Sequence, residues 1–241
     1  MLDRMLALPS DVAPNSEQIT PEQTHGEIRA DQLRFGYTDA PAPSFQLNSP
    51  LHIRPNDRVG IVGEIGSGKS TLLKLLSGLY QPQGGLVQLD GIDLKHINPD
   101  YLRHALGYLA QDYRLVGGNL RDNLTLGIAD PGDSALIEAC QATGLSDLIN
   151  RHPKGLALPI SEGGRGVSGG QRQLIGLTRL LLANAPVWLL DEPTASLDTA
   201  TEAVVLKTLQ QRCEGRTLVV VTHKQSLLPL FDRLIVVTQG R

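Results

Sequence analysis

The segment GEIGSGKS at residues 63–70 constrains the fold most, because it lies between two runs of different character. The run RVGIV before it is typical of a buried strand, and the run TLLKLL after it is typical of a helix. Its glycines let the backbone curl until successive N–H groups point inward, and the helix start adds the positive end of its dipole. The segment therefore predicts a phosphate-binding loop; a glycine-rich turn without a ligand is the alternative.

The polar residues of this loop predict a nucleoside triphosphate with magnesium. Lys69 is placed to bridge the β- and γ-phosphates, which gives it a catalytic as well as a binding role. The hydroxyl of Ser70 is placed to ligate Mg²⁺, an ion that binds through few protein groups and keeps several waters. The loop residues predicted to contact the nucleotide are Gly63, Gly66, Ser67, Gly68, Lys69, Ser70 and Thr71.

Two acidic residues follow a second apolar run, VWLL at residues 187–190. This run predicts a buried strand that brings Asp191 to the edge of a sheet, where its carboxylate can hold Mg²⁺ directly or through water. Glu192 is one position further on, and we expect it to polarise the water that attacks the γ-phosphate. Capping of a following helix by two solvated acids is the alternative.

His223 ends a third apolar run, TLVVVT, and is expected at the same edge of the sheet. A single histidine is most often structural, but this position favours a hydrogen bond to the γ-phosphate or to the attacking water. The remaining histidines show neither HxH nor HExxH spacing, so we assign them no chemistry. They are His25, His52, His96, His104 and His152.

The composition indicates a globular chain: 241 residues, 41% of them hydrophobic, carry a formal charge of -3. This charge provides no concentrated basic surface, so no nucleic-acid partner is expected. Cys140 and Cys213 lack the spacing of metal ligands, and we interpret them as buried thiols. No apolar run approaches the roughly 18 residues that a membrane span needs, so the chain alone is expected to be soluble.

The chain is expected to divide near residue 26. Residues 9–26 are rich in Pro, Ser, Glu and Gln and predict a linker, while Leu2 to Leu8 predict the end of a longer helix. The folded unit is expected over residues 27–241, with a truncated C-terminus.

Alternating and apolar runs together predict an α/β fold. EIRADQLRFGY and SFQLNSPLHI alternate polar and apolar residues, which indicates a small antiparallel β subdomain at the N-terminal side. The apolar runs LVQLD, LGYLA, VWLLD, TLVVVT and RLIVVT are interleaved with helical stretches, which indicates a mostly parallel central sheet. Helical patterns dominate from about residue 112 to 186, so a helical subdomain is expected there.

A second glycine-rich turn, Val167-Ser168-Gly169-Gly170-Gln171, has no role in the first site. We expect it to bind the nucleotide of a second copy of the chain. With the phosphate loop, Asp191-Glu192, Asp198 and His223 in this order, residues 27–241 resemble the ATP-binding domain of ABC transporters, a P-loop NTPase fold. Val167 departs from the leucine that is most frequent at this position of the family.

The resemblance implies further roles. Tyr37 matches the aromatic residue that stacks on adenine, although a core or edge-strand tyrosine is the alternative. Gln111 matches the glutamine that touches Mg²⁺ and water. Ser168, Gly169 and Gly170, with Gln171, match the signature turn that closes on the ATP of the opposite protomer. Asp198 matches an aspartate that reaches across the same interface.

The sequence segments GEIGSGKSTLLKLLSGLYQP and RHPKGLALPISEGGRGVSGGQRQ are similar to those of type I secretion ATPases, which export RTX adhesins and toxins. Glu162 occupies the acidic position of an exporter loop. The resemblance implies a homodimer, a transmembrane domain fused N-terminally, a periplasmic adaptor, an outer-membrane channel and a place at the cytoplasmic face of the inner membrane. Exporters of peptide, lipid or drug are an alternative; a soluble ABC ATPase and a domain that only binds ATP fit less well.

Overall fold

A computed structural model describes residues 18–37 and 45–238 of the chain. The predicted helix end at Leu2 to Leu8 and the end of the chain lie outside these residues. The strands are β1 (Ile28–Phe35), β2 (Phe45–Gln46), β3 (Leu51–Ile53), β4 (Arg58–Val62), β5 (Gly84–Leu89), β6 (Ile92–Asp93), β7 (Leu106–Leu109), β8 (Gly118–Asn119), β9 (Pro159–Ile160), β10 (Val187–Asp191), β11 (Thr217–Val221) and β12 (Arg233–Val236). The α-helices are α1 (Lys69–Leu76), α2 (Pro99–Ala105), α3 (Leu120–Thr125), α4 (Asp133–Thr143), α5 (Ser146–Arg151), α6 (Gly169–Ala183) and α7 (Thr199–Arg212).

The central sheet has the order β12-β4-β11-β10-β7, and all of its strand pairs are parallel. Every residue of β10 and β11 is buried, as expected for parallel strands that are covered on both faces. The prediction of a mostly parallel sheet is therefore confirmed. Because parallel strands end at the same edge, the segments that follow β4, β10 and β11 come together there.

The second sheet is antiparallel and contains β1, β2, β3, β5 and β6. The prediction that LVQLD belongs to the parallel sheet is wrong, since β5 pairs antiparallel with β1 from Ile28 opposite Leu89 to Arg34 opposite Gly84. The physical reason lies in its burial: Leu86 is 37% exposed while Val87 and Leu89 are buried, so β5 covers the core with one face only.

Residues 18–27 are tied to this antiparallel sheet and its neighbouring loop, although residues 9–26 were predicted to be a linker. The backbone of Ile19 exchanges hydrogen bonds with His96 and Asn98, at 2.7 and 2.8 Å. The Asp90 carboxylate accepts from three successive backbone amides, those of residues 25–27, at 2.8, 3.3 and 2.8 Å. The described part of this segment is therefore bound to the sheet through its backbone.

Helices α3 to α6 follow one another between β7 and β10. The 15-residue helix α6 packs against α3, α4 and β7 and so joins the helical region to the central sheet. The buried hydroxyls of Thr178 on α6 and Thr143 on α4 lie 2.7 Å apart and form a hydrogen bond. Among the described residues, no helix combines the length and the apolar character that crossing a bilayer requires.

Candidate nucleotide site

The predicted phosphate loop connects β4 to α1 and adopts backbone conformations that favour glycine. The φ angles of Gly63, Gly66 and Gly68 are 153°, 81° and 95°. A Cβ atom on Gly63 would lie 2.2 Å from the carbonyl oxygen of Val237, so the close approach of the chain after β12 also requires glycine. Helix α1 begins immediately afterwards, at Lys69.

The Lys69 ammonium group donates hydrogen bonds to two carbonyls of its own loop. Its Nζ atom lies 2.9 Å from Gly63 O and 2.6 Å from Glu64 O. The loop borders an open cavity of about 240 Å³. The residues that line the cavity are Tyr37, Gly66, Gly68, Lys69, Ser70 and Thr71. A cation therefore stands at the mouth of a cradle of backbone amides, which suits an anionic ligand.

Tyr37 stands at this cavity with 47% of its surface exposed. Its ring meets those of Phe35 and Tyr80 edge to face, with centroids 5.1 and 6.0 Å away, and its hydroxyl lies 3.3 Å from Thr71 Oγ1. The neighbouring aromatic rings hold Tyr37 from one side. An exposed ring next to the phosphate loop is available to a base.

Asp191 is the last residue of β10 and is 2% exposed. Burial raises the pKa of this carboxyl above its usual range, while a hydrogen bond from Ser70 and the charges of Lys74 and Lys69 act in the opposite direction. Its Oδ1 atom is buried and has no hydrogen-bond partner among the described residues. A buried carboxylate oxygen of this kind has the chemistry of a cation ligand.

Glu192 is buried beside Asp191 and is 7% exposed. Its Oε1 atom lies 2.8 Å from His223 Nδ1, and its Oε2 atom has no partner among the described residues. When this carboxylate is ionised it can only accept, and Nδ1 of His223 is then the donor. The φ angle of Glu192 is 50°, a left-handed conformation that is unfavourable for a residue with a Cβ atom.

The second glycine-rich turn forms the start of α6. Ser168 caps this helix: Gln171 N donates to Ser168 Oγ at 3.1 Å, and Ser168 N donates to Gln171 Oε1 at 2.9 Å. This reciprocal pair fixes the turn and uses the Gln171 carboxamide, which we had predicted to contact nucleotide, for capping. Within the described part of the chain, residues 168–171 do not line the cavity at the phosphate loop.

Two further predicted residues lie on exposed segments. Gln111 is the second residue after the end of β7. Asp198 caps α7 by accepting from the backbone amides of Ala200 and Thr201, each at 3.0 Å, and from the Thr201 hydroxyl. These bonds from Thr201 hold the pKa of Asp198 below its usual range. The Asp198 carboxylate therefore stabilises its own helix within one copy of the chain.

Two groups of buried polar residues around the site escaped the sequence analysis. Gln173 on α6 contacts the backbone of Glu192 and of Ser196, although its spacing from the buried Leu177 and Leu180 could have placed it on the core face. The second group begins next to His223: Lys224 Nζ donates to the Glu202 carboxylate and, at 2.7 Å, to Thr194 O. No pattern in the sequence predicts these two contacts of Lys224.

The chain is similar to known proteins over most of its length. The family described as ABC transporter matches residues 47–195. The leukotoxin translocation ATP-binding protein LktB of Mannheimia haemolytica is 38% identical over 217 residues, which are 89% of this chain, and LktB of Bibersteinia trehalosi matches equally. The solved structure of a bacterial Atm1-family ABC exporter with ATP bound superimposes with a TM-score of 0.89 at 31% identity and covers 99% of this chain.

The relatives are much longer than this chain. It spans 30% of the length of the leukotoxin translocation proteins and 41% of the Atm1-family exporter chain. The match therefore concerns one part of each relative, the part that carries the family motifs.

Proposed function

Because the chain belongs to the ABC transporter family, we propose that it is the ATP-binding and ATP-hydrolysing motor of an ABC exporter. Two copies would close around two ATP molecules, with the phosphate loop of one copy facing the Ser168 turn of the other. The relatives support this proposal, since one is a leukotoxin translocation ATP-binding protein and another is an ABC exporter with ATP bound.

One observation carries the proposal of hydrolysis: the two oxygens of the Glu192 carboxylate have different surroundings. His223 holds Oε1 at 2.8 Å, while Oε2 is buried without a partner among the described residues. A carboxylate fixed in this way holds its second oxygen in a defined direction and is suited to accept a proton from water. A domain that only bound ATP would not need an acceptor held in this position.

The residues around the loop also fit Mg²⁺. The Oδ1 atom of Asp191, which has no hydrogen-bond partner among the described residues, and the hydroxyl of Ser70 are oxygen ligands of the kind the ion prefers. We propose that these two groups and Gln111 hold it. When bound, Mg²⁺ neutralises negative charge on the β- and γ-phosphates.

The remaining steps belong to side chains of this chain. Lys69 exchanges the carbonyls of Gly63 and Glu64 for phosphate oxygens, so its charge is available without a large rearrangement. Tyr37 supplies a face for adenine. Glu192 takes the proton of the attacking water, and His223 keeps the carboxylate oriented through its hydrogen bond of 2.8 Å.

The second copy completes the site. Ser168, Gly169 and Gly170 present a helix start and backbone amides, which suit a phosphate, yet they do not line the cavity of their own phosphate loop. The Asp198 loop, next to this turn, would lie at the same interface.

For the transported substrate we propose a secreted protein of the RTX adhesin or toxin type, in a type I secretion system. This proposal is supported by the similarity to a leukotoxin translocation protein and by the resemblance of the sequence around Glu162 to that of type I secretion ATPases. The partners would be an N-terminal transmembrane domain, a periplasmic adaptor and an outer-membrane channel, with this domain at the cytoplasmic face of the inner membrane. A second candidate is the ATP-binding domain of another ABC exporter, of peptide, lipid or drug, since the Atm1-family neighbour is also an exporter.

The decisive experiment compares the wild-type protein with Glu192→Gln. The variant keeps the shape of the side chain and the phosphate contacts but cannot accept a proton, so we expect ATP affinity within about twofold of the wild type and turnover lowered by roughly 100-fold or more. Size-exclusion chromatography with ATP should show the variant accumulating as a dimer. Normal turnover in this variant would remove Glu192 from its proposed role.

A further inference from the structure

The side chain of Gln173 lies in the interior, 7% exposed, and both ends of its carboxamide are used. Nε2 donates to the carbonyl oxygen of Glu192 at 2.7 Å, and Oε1 accepts from the backbone amide of Ser196 at 2.8 Å. A buried amide is costly to desolvate, so these two bonds hold the backbone after β10 in one arrangement.

Helix α6 touches the same loop a second time, at its first turn. A Cβ atom on Gly170 would lie 2.9 Å from Ser196 O, and a Cβ atom on Gly169 would lie 3.5 Å from Ser196 Cβ. The start of α6 and the Ser196 backbone therefore pack closely, and a displacement of one must move the other or break this contact.

The bond to Glu192 acts on a residue in an unfavourable conformation. Its φ angle of 50° persists because its neighbours hold it: its amide donates to Val221 O at 2.9 Å, and its carbonyl accepts from Gln173. Val221 belongs to the central sheet, whereas Gln173 belongs to α6. The orientation of the Glu192 side chain thus depends on the relative position of these two elements.

We propose, resting on the proposed function, that Gln173 is a positioning residue that couples the catalytic Glu192 to the α6 turn that meets the nucleotide of the partner copy. One helix then carries both the turn for the partner's ATP and the amide that orients the glutamate for this chain's own ATP. When the partner's phosphates draw in the start of α6, Gln173 transmits that position to Glu192 and to the Ser196 loop.

Gln173→Met tests the coupling, because methionine has a similar length and volume but forms neither hydrogen bond. We expect kcat to fall by about 10- to 100-fold, since small misplacements of a catalytic group have effects of this size. The KM for ATP and the affinity for nucleotide should stay within about twofold, because among the described residues the side chain of Gln173 bonds to Glu192 and Ser196, neither of which lines the phosphate cavity.

Thr178→Val is the matched control. Thr178 lies on the same helix, is fully buried and bonds to Thr143, away from the loop after β10. This variant should lower the melting temperature and leave kcat unchanged. A loss of kcat in Gln173→Met that exceeds the loss in an equally destabilised Thr178→Val protein separates positioning from stability.

A second variant and a double mutant give the remaining tests. Gln173→Glu keeps an acceptor for Ser196 N and removes the donor to Glu192 O, so its kcat should fall as in Gln173→Met. Adding Gln173→Met to Glu192→Gln should cause no further loss of turnover, because both act through the same carboxylate.

The inference is overturned if the wild type hydrolyses ATP and Glu192→Gln does not, yet Gln173→Met retains full kcat or its loss multiplies with that of Glu192→Gln. Absence of turnover in the wild type, or normal turnover in Glu192→Gln, would instead refute the proposed function itself.

Discussion

Replacing Glu192 with glycine is expected to stabilise the nucleotide-free protein while abolishing turnover. The backbone of Glu192 has a φ angle of 50°, in a region that costs a residue with a Cβ atom about 1–2 kcal/mol. Three backbone contacts impose it, at 2.9 Å to Val221 O, 2.7 Å from Gln173 and 3.2 Å from Ala195 N. Glycine adopts this conformation without the steric penalty.

The comparison of Glu192→Gly with Glu192→Ala isolates the backbone term. Both variants lack the carboxylate and the bond to His223, so they differ only in the Cβ atom. Glycine recovers roughly 1–2 kcal/mol of steric energy and loses about 0.5–1 kcal/mol to the greater freedom of the unfolded chain. The net gain is on the order of 1 kcal/mol, which corresponds to a melting temperature about 2–4 °C higher in a chain of this size.

The side chain contributes a second term that both variants share. Removing it eliminates the buried Oε2, which has no partner in the described part of the chain and whose desolvation costs about 1–3 kcal/mol, and also removes one hydrogen bond to His223, which contributes about 1 kcal/mol. We therefore expect the alanine variant to be at least as stable as the wild type and the glycine variant to be the most stable of the three.

The assay is equilibrium unfolding in urea at pH 7, without nucleotide and with a chelator, supported by calorimetry. Glu192→Gln serves as the control, because it keeps the Cβ atom and the shape of the side chain. If Glu192→Gly unfolds at the same or a lower urea concentration than Glu192→Ala, the backbone at this position is not strained and the reasoning fails.

Two other substitutions test the charges around the phosphate loop. Burial raises the pKa of Asp191, so its ionised form disfavours the folded state as pH rises; Asp191→Asn should stabilise the nucleotide-free protein by about 1 kcal/mol at pH 7. Denaturation at pH 7 and near pH 4 should show this gain shrinking in acid, and a gain independent of pH would contradict it. Lys69→Ala should weaken ATP binding at least about tenfold in calorimetric titrations, because a charge-assisted bond to phosphate contributes about 1.5–3 kcal/mol; unchanged affinity would count against the loop assignment.

Much of the fold could be predicted because its strong signals are local. The runs before Gly63, Glu192 and His223 are mostly apolar, and such runs form parallel strands that are buried on both faces. The run LVQLD is also mostly apolar, but Asp90 and the following Gly91 both have positive φ and the chain turns back into β6. Its pairing with β1 depends on contacts across the chain that periodicity does not record.

The candidate site also contains residues that local sequence patterns predict and residues that only the packing of the chain brings together. Residues whose chemistry depends on a loop next to a strand, such as Lys69 and Asp191, could be predicted from their spacing. Gln173 could not, because its role rests on two backbone contacts, to residues 192 and 196, that only the packing of α6 against the sheet brings within reach. The use of Gln171 in a capping box was missed for a different reason: a motif that suggested ligand binding also fulfils the needs of its own helix.

The hydroxyl of Ser168 can accept a hydrogen bond through its oxygen and donate one through its proton, and the capping of helix α6 uses only the acceptor. Because the Ser168 oxygen accepts from Gln171 N, the hydroxyl proton can be donated to an oxygen atom outside the chain. An aspartate in its place would also cap the N-terminus of the helix, but its carboxylate would have no proton to donate and would repel an incoming anion. If the turn binds the ATP of a second copy as proposed, serine at this position lets it donate to a phosphate oxygen while helix α6 stays capped.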